Sequence, residues 1–261
     1  GEYFCRFRLR WRAKTSVIQG FTMRSTRGAL AVVSLAVLQA CGGGGSDTPA
    51  TPMPTPPTTI AASAAWAKVT TTSRTWNMAG TGSDGARYEI ATTLAPLVDR
   101  TVTNSGVPTI YGVFEVSFIA KRNGVTSSSV TNRLFLKKSD LTVGVLQIPS
   151  ANDCGVVQSS TVVPASAALN ASGPLFTAKI YSQQGTGCGS VLALSHGTVS
   201  TSWSYEASAG VPLFCVTTTE VGFVTTTTES ICLEVTADGT LGARARFTSR
   251  SSGGTLVASN F

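Results

Sequence analysis

The stretch YGVFEVSFIAKRNGVTSSSVTNRLFLKK, residues 111–138, decides the fold class. From Tyr111 to Ala120 it places Phe114, Val116 and Phe118 at alternate positions, with Glu115 and Ser117 between them. That is the two-residue period of a half-buried strand. Asn123-Gly124 follows, a dipeptide suited to the positive backbone angles of a tight hairpin, and Val130 to Lys137 reads as the returning strand. Parity then constrains the pairing. A two-residue turn sets Phe114, Val116 and Phe118 against Arg133, Thr131 and Ser129. An odd-length connection sets them against Leu134, Asn132 and Val130 and matches two apolar ends. The odd-length loop is expected, because a slip of one residue flips every side chain to the other face. It also places Glu115 opposite Arg133 as a cross-strand ion pair.

Working outward, the same texture recurs. Thr75 to Ala79 and Tyr88 to Leu94 precede the central hairpin, with Asp84-Gly85 as the turn between them. Val156–Val163, Leu175–Tyr181, Val199–Tyr205, Leu213–Thr218, Ile231–Thr236 and Leu241–Thr248 follow it, with Asp238-Gly239 as a further tight turn. Runs such as Thr70-Thr71-Thr72, Thr217-Thr218-Thr219 and Thr225 to Thr228 favour strands, because β-branched side chains suit a pleated surface. Helical periodicity is nearly absent. Strands at this spacing belong to sandwiches or barrels. The expectation is an all-β fold, an antiparallel β-sandwich or two small β-subdomains, over residues 63–261. An internal boundary is placed near 149–153, where Pro149-Ser150-Ala151-Asn152-Asp153 interrupts the pattern.

The formal charge of the 261-residue chain is +7, with 20 basic and 13 acidic residues. Seven of the basic residues (Arg6, Arg8, Arg10, Arg12, Lys14, Arg24 and Arg27) lie in residues 1–40 against Glu2 alone. From Cys41 onward, basic and acidic side chains nearly cancel. A nucleic-acid partner needs basic residues clustered on the working domain, and none is expected. Residues 42–62 are rich in Gly, Pro and Thr, with Pro49, Pro52, Pro54, Pro56 and Pro57. They cannot bury a core and are expected to form a disordered tether.

Met23-Arg24-Ser25-Thr26-Arg27 is a short positive segment, Gly28 to Val37 an apolar one, and Leu38-Gln39-Ala40-Cys41-Gly42 closes the series. The apolar run is too short to remain in a bilayer as a helix. Residues 23–45 resemble the signal peptide and lipobox of bacterial lipoproteins. The resemblance implies cleavage between Ala40 and Cys41, a diacylglyceryl thioether on Cys41 and acylation of the new amine. Two or more acyl chains anchor stably where one is marginal. By the family's sorting rule, Gly42 in place of Asp favours the outer membrane over the inner. Residues 1–22 precede the plausible start at Met23 and read as upstream or mis-started sequence.

Setting Cys5 and Cys41 aside leaves Cys154, Cys188, Cys215 and Cys232, an even number in a chain expected to be exported. Zinc is disfavoured, since no Cys-x-x-Cys pair occurs and His196 is the sole histidine. Three disulfide pairings exist. The preferred one joins Cys154 to Cys188 and Cys215 to Cys232. Direct opposition of Cys215 and Cys232 would centre a turn on Phe223-Val224, so a longer loop opening at Gly222 is expected instead.

No catalytic site, cofactor or metal is expected. Ser195 and His196 are adjacent and point to opposite faces of a strand, so they are not partners, and His196 before Gly197 reads as a surface-turn residue. No Gly-x-Ser-x-Gly elbow occurs. Asp84, in Thr81-Gly82-Ser83-Asp84-Gly85, is a weak calcium candidate that lacks the alternating acids of a calcium loop. Trp66, Trp76 and Trp203 are weak candidates for a sugar-binding platform, although aromatics on alternating strands are more often core. The expected role is binding or structural, at the membrane through the lipid anchor, toward an envelope protein or glycan partner. The alternatives are a carbohydrate-binding module and an envelope glycan hydrolase using a carboxylate pair. Two convergent carboxylates in an open cleft would favour the hydrolase, and stacked exposed Trp rings would favour glycan binding.

Overall fold

The computed structural model describes residues 55–261 except 105–106, 150, 185–186, 189–194 and 223–224, and of 103, 104, 107, 183, 184, 187 and 188 it describes the backbone alone. The upstream segment, the signal peptide, Cys41 and most of the tether lie outside the described residues.

Among the described residues, fifteen strands and one helix are arranged in the order β1 (Thr59–Ile60), α1 (Ala62–Thr71), β2 (Arg74–Gly82), β3 (Arg87–Asn104), β4 (Val107–Arg122), β5 (Val125–Lys137), β6 (Val143–Ile148), β7 (Asp153–Ser160), β8 (Ala167–Ala168), β9 (Ser172–Gln184), β10 (Gly187–Cys188), β11 (Gly197–Ser208), β12 (Val211–Gly222), β13 (Thr226–Val235), β14 (Leu241–Ser251) and β15 (Gly254–Ser259). Every pairing is antiparallel. The main sheet runs β9-β11-β12-β13-β14-β15-β2-β3-β4-β5-β6-β7, and β7 returns to pair with β9 from Asp153↔Ser182 to Ser160↔Phe176. The sheet is therefore a closed barrel of twelve strands. This overturns the expected sandwich and the alternative of two β-subdomains, because strands from both sides of residues 149–153 share one uninterrupted ladder. Closure pairs each of the twelve wall strands on both sides, which removes the general liability of an open sheet, and β10 pairs with β9 alone.

The register of the central hairpin is the one parity requires. Phe114 faces Leu134, Val116 faces Asn132 and Phe118 faces Val130. The odd-length loop expected to produce it does not form. Asn123-Gly124 does form a two-residue turn, with positive φ at both residues (50° and 82°). A bulge between Ala120 and Lys121 then supplies the odd residue. Glu115 accepts from Arg133 Nε at 2.7 Å, as expected.

Side chains alternate between the two faces of the barrel wall. The inner face carries Trp76, Met78, Ile90, Leu94, Phe114, Phe176, Ile180, Trp203, Phe214, Leu233 and Phe247, which form one core. The outer face carries hydroxyl pairs across neighbouring strands, among them Thr75–Thr93, Ser117–Thr131, Ser159–Thr177, Thr217–Ser230 and Thr219–Thr228. Ion pairs Glu115–Arg133 and Glu234–Arg244 stand on the same outer surface. The outer face also carries two buried apolar groups, Val211 with Leu213, Cys215 and Cys232, and Tyr111 with Val113 and Phe135. Among the described residues, no helix is long and apolar enough to cross a membrane.

Helix α1 closes one end, called here the lower end. Ala62, Ala65, Trp66 and Val69 follow the i, i+3, i+4, i+7 spacing of one helical face, and all four are buried. Trp66, a weak candidate for a sugar-binding platform, is on this helix, its Nε1–H donating to the Leu141 carbonyl at 3.2 Å. The Ala61 N–H donates to Ala237 at 2.8 Å, tying the helix start to the β13–β14 turn. Gly239 in that turn has φ of +85°, and a Cβ there would stand 2.6 Å from the Ala65 nitrogen. Glycine is needed at this position both for its backbone angle and for the approach of the helix. The chain arrives at the same end: β1 pairs with β8, Leu169 N–H donates to Thr58, and the Tyr205 hydroxyl donates to the Pro57 carbonyl.

Cys215 and Cys232 are bonded to each other and sit directly opposite in the β12–β13 ladder. The longer loop expected at Gly222 does not form. Pairing continues to Val221↔Thr226, and Gly222 N–H donates to Thr225 at 2.9 Å. Cys154 is also disulfide-bonded. The Cys188 side chain lies outside those described, so the other expected pairing does too.

Candidate functional site

Above α1 the barrel is not filled. A cavity of about 240 Å³ opens between the strands, with Trp66 and Val69 as its floor. Phe114, Val116 and Phe118 of β4, Val199 and Thr201 of β11, Phe214 and Val216 of β12, and Ile231 and Leu233 of β13 form much of its wall. Phe214 and Leu233 near the floor are fully enclosed, whereas Val216, Ile231, Phe118 and Val130 higher up are partly exposed. Among the described residues, exposure rises toward the upper end, opposite the helix and the incoming chain. The cavity is a cup opening upward.

Its polar groups are few and are concentrated near the mouth. On β12 the inward positions read Phe214, Val216, Thr218, Glu220, and on β13 they read Leu233, Ile231, Glu229, Thr227, each paired across the ladder in that order. Glu220 and Glu229 are therefore diagonal neighbours on the inner face, a relation in which residues stand about 7–8 Å apart with their Cβ atoms somewhat closer. Enclosure by the wall raises the pKa of Glu229 above its ordinary value, and the nearby Glu220 raises it further. Glu220, exposed at the rim, is raised by partial removal of its carboxylate from water and by Asp153, while His196 pulls it down. Removing a carboxylate from water disfavours its charged form, and a like charge adds to the effect.

His196 stands beside this mouth. Its Nε2 is 3.2 Å from an Asp153 carboxylate oxygen, and its side chain, just before β11, is partly exposed. Ser195 Oγ donates to the Gly197 carbonyl at 2.7 Å. The two residues serve different partners.

The residues singled out in the sequence are dispersed. Trp66 lines the cavity floor. Trp76 is buried under the Arg74 guanidinium, 4.9 Å from its ring centre. Trp203 is buried and stacks on Phe214 at 6.3 Å. The three tryptophans form no exposed platform. Asp84 has both oxygens engaged by the protein. One accepts from Ala86 N–H, and the other from the Tyr88 hydroxyl and from Arg122 at 2.9 Å. These donors hold its carboxyl below the ordinary value, and they bind the β2–β3 turn to β4. Among the described residues, Glu206, Cys215 and Cys232 are grouped closely enough to suggest a metal, but the two sulfurs are bonded to each other.

Sequence reasoning passed over Glu220 and Glu229. The signal was present, since Glu220 shares the parity of Phe214 and Val216, and Glu229 that of Ile231 and Leu233. Extending either strand by two or four residues places a carboxylate on the apolar face. No protein-family model, curated protein sequence or solved structure matches this chain.

Proposed function

We propose that this chain is a lipid-anchored binding protein of the cell envelope whose barrel takes up a small, largely apolar molecule. The observation that carries the reading is the cup itself, an apolar interior closed below by α1 and open above. A barrel of this size built only for stability would fill its interior, because empty apolar space forfeits contacts on every lining side chain. Ligand sites are typically concave and mainly apolar, with a few convergent polar groups. At about 240 Å³ the space lies just under the usual range of roughly 300–1,000 Å³. An apolar cavity of about 150 Å³ is enough for benzene. A ring with a short chain is the matching size.

The lipobox resemblance at residues 23–45 supports anchoring through Cys41, with Gly42 favouring the outer membrane. The chain joins the barrel at the lower end, so a tether from Cys41 would leave the mouth facing away from the lipid surface. Replacing Cys41 by Ser should release the protein from membranes, and unchanged membrane fractionation would refute the anchor. The detergent-free Cys41→Ser chain also serves to test the cup. Calorimetric titration with 4-phenylbutanol should give saturable binding that Val116→Trp, which fills the cavity, removes. An absence of binding, or equal binding by both chains, would refute the reading.

The Glu220–Glu229 pair favours a second reading, a glycan hydrolase, since paired carboxylates at such separations perform acid–base chemistry on glycosidic bonds. Here the surrounding wall is apolar, where a sugar would need many hydrogen-bonding partners. Turnover of an envelope glycan that is lost in Glu229→Gln would establish the hydrolase in place of the binding reading.

A further inference from the structure

We infer that the molecule held in the barrel is a small amphipathic amine, its apolar body resting on Trp66 and its positive head between Glu220 and Glu229. The inference rests on the binding reading above and assigns the ligand's charge and orientation.

The lining is asymmetric in chemistry as well as exposure. The lower layers, Phe214 with Leu233 and Val216 with Ile231, carry no polar atom on their side chains. The next two layers, Thr218 with Glu229 and Glu220 with Thr227, are wholly polar. No lysine or arginine lines the cavity among the described residues, so nothing in the wall neutralises the two carboxylates. Glu229 makes no hydrogen bond or ion pair with any described residue. A carboxylate such as Glu229, facing a largely apolar space without a partner, is costly, and an opposite charge is the strongest remedy.

The other charged groups at the mouth do not supply that charge. His196 is a cation-forming side chain that acts on Glu220, and it is held by Asp153. Among the described residues, and counting His196 as charged, this side of the mouth has three carboxylates, Asp153, Glu220 and Glu229, against one cation. A ligand bearing an ammonium group corrects this imbalance. A ligand bearing a carboxylate or phosphate worsens it. The shift of both glutamates toward protonation agrees with a site that awaits a cation. Ammonium binding should favour their charged forms and release protons to the buffer, whereas a neutral head should not.

The test uses three molecules with one body and three heads: 4-phenylbutylamine, 4-phenylbutanol and 4-phenylbutyrate. Each is titrated calorimetrically into the full Cys41→Ser chain, in two buffers that differ in ionisation enthalpy. The amine is expected to bind at least tenfold tighter than the alcohol, with proton release, and the carboxylate to bind weakest. In the Glu220→Gln/Glu229→Gln chain the preference for amine over alcohol should collapse. Equal affinity for the three heads, preference for the carboxylate, or an undiminished amine preference in the double variant overturns the assignment of charge while leaving the cup in place. Failure of all three to bind overturns the cup, and the head-group assignment with it. Circular dichroism and the alcohol titration show whether the double variant is folded.

Discussion

Replacing Trp66 with alanine tests the central architectural claim, that α1 is a plug packed inside the barrel. Trp66 is only 3% exposed, and its ring forms both the helix contact and the cavity floor. Truncating a buried tryptophan to alanine costs about 3–5 kcal/mol. One side of this ring already borders the cavity and has fewer atoms to lose, so the lower figure of about 3 kcal/mol applies. The lost Nε1–H donor also leaves the Leu141 carbonyl without that partner, at a further cost of about 1 kcal/mol. For a domain near 200 residues this corresponds to a fall in Tm of roughly 8–16 °C at about 2–4 °C per kcal/mol. Urea unfolding followed by circular dichroism should show the lower midpoint. Trp66→Phe, which keeps most of the ring, should lose much less. Indole added to Trp66→Ala should restore part of the loss, since a ligand that binds only the folded state stabilises by mass action. A loss below about 1 kcal/mol for Trp66→Ala would mean that the helix lies loosely on the barrel, and the floor of the cup would go with it.

The carboxylates give a pH signature of definite sign. The folded-state pKa of Glu229 is raised above its ordinary 4.5, so between that value and the raised one the native state holds a proton that the unfolded chain has released. Stability should therefore be greatest below the ordinary pKa and fall as pH rises through the raised value. Glu229→Gln should flatten this descent and be more stable than the parent at neutral pH. Superimposable profiles from about pH 4.5 to 8 would contradict the enclosed position of this side chain. Separately, the Cys215→Ser/Cys232→Ser chain should lose about 3 kcal/mol in urea unfolding, the effect of releasing a loop of 17 residues. Because the bond lies on the outer face, binding of 4-phenylbutanol should persist in that variant, and loss of binding would place the disulfide in the cup.

Much of the wall was legible in the sequence. Ten strand segments, the Asp84-Gly85, Asn123-Gly124 and Asp238-Gly239 turns, and the Glu115–Arg133 pair all follow from alternation and turn chemistry. The two missed wall strands, β6 (VGVLQI) and β15 (GTLVAS), are six residues each, begin at or beside a glycine, and alternate weakly. Without them ten strands give no reason to close, and a sandwich is the natural inference. Helix α1 was missed because its ASAAWAKVTT is short and runs into threonines, although its apolar spacing is helical. The pair at the mouth was missed because each glutamate lies just beyond the apolar part of its strand.

The sequence by itself determined which face of each strand is apolar, because side-chain direction alternates along any strand whatever its neighbours. It also determined the turns that need glycine or asparagine, because those backbone angles are a local matter. Tertiary structure alone decided that the apolar faces turn inward around a shared axis. Closure depends on the pairing of β7 with β9 and on the summed twist and stagger of twelve strands, and no local pattern encodes these. It likewise decided that Glu220, Glu229, Asp153 and His196 meet at one mouth, since they come from strands and connections separated by up to 76 positions in the chain.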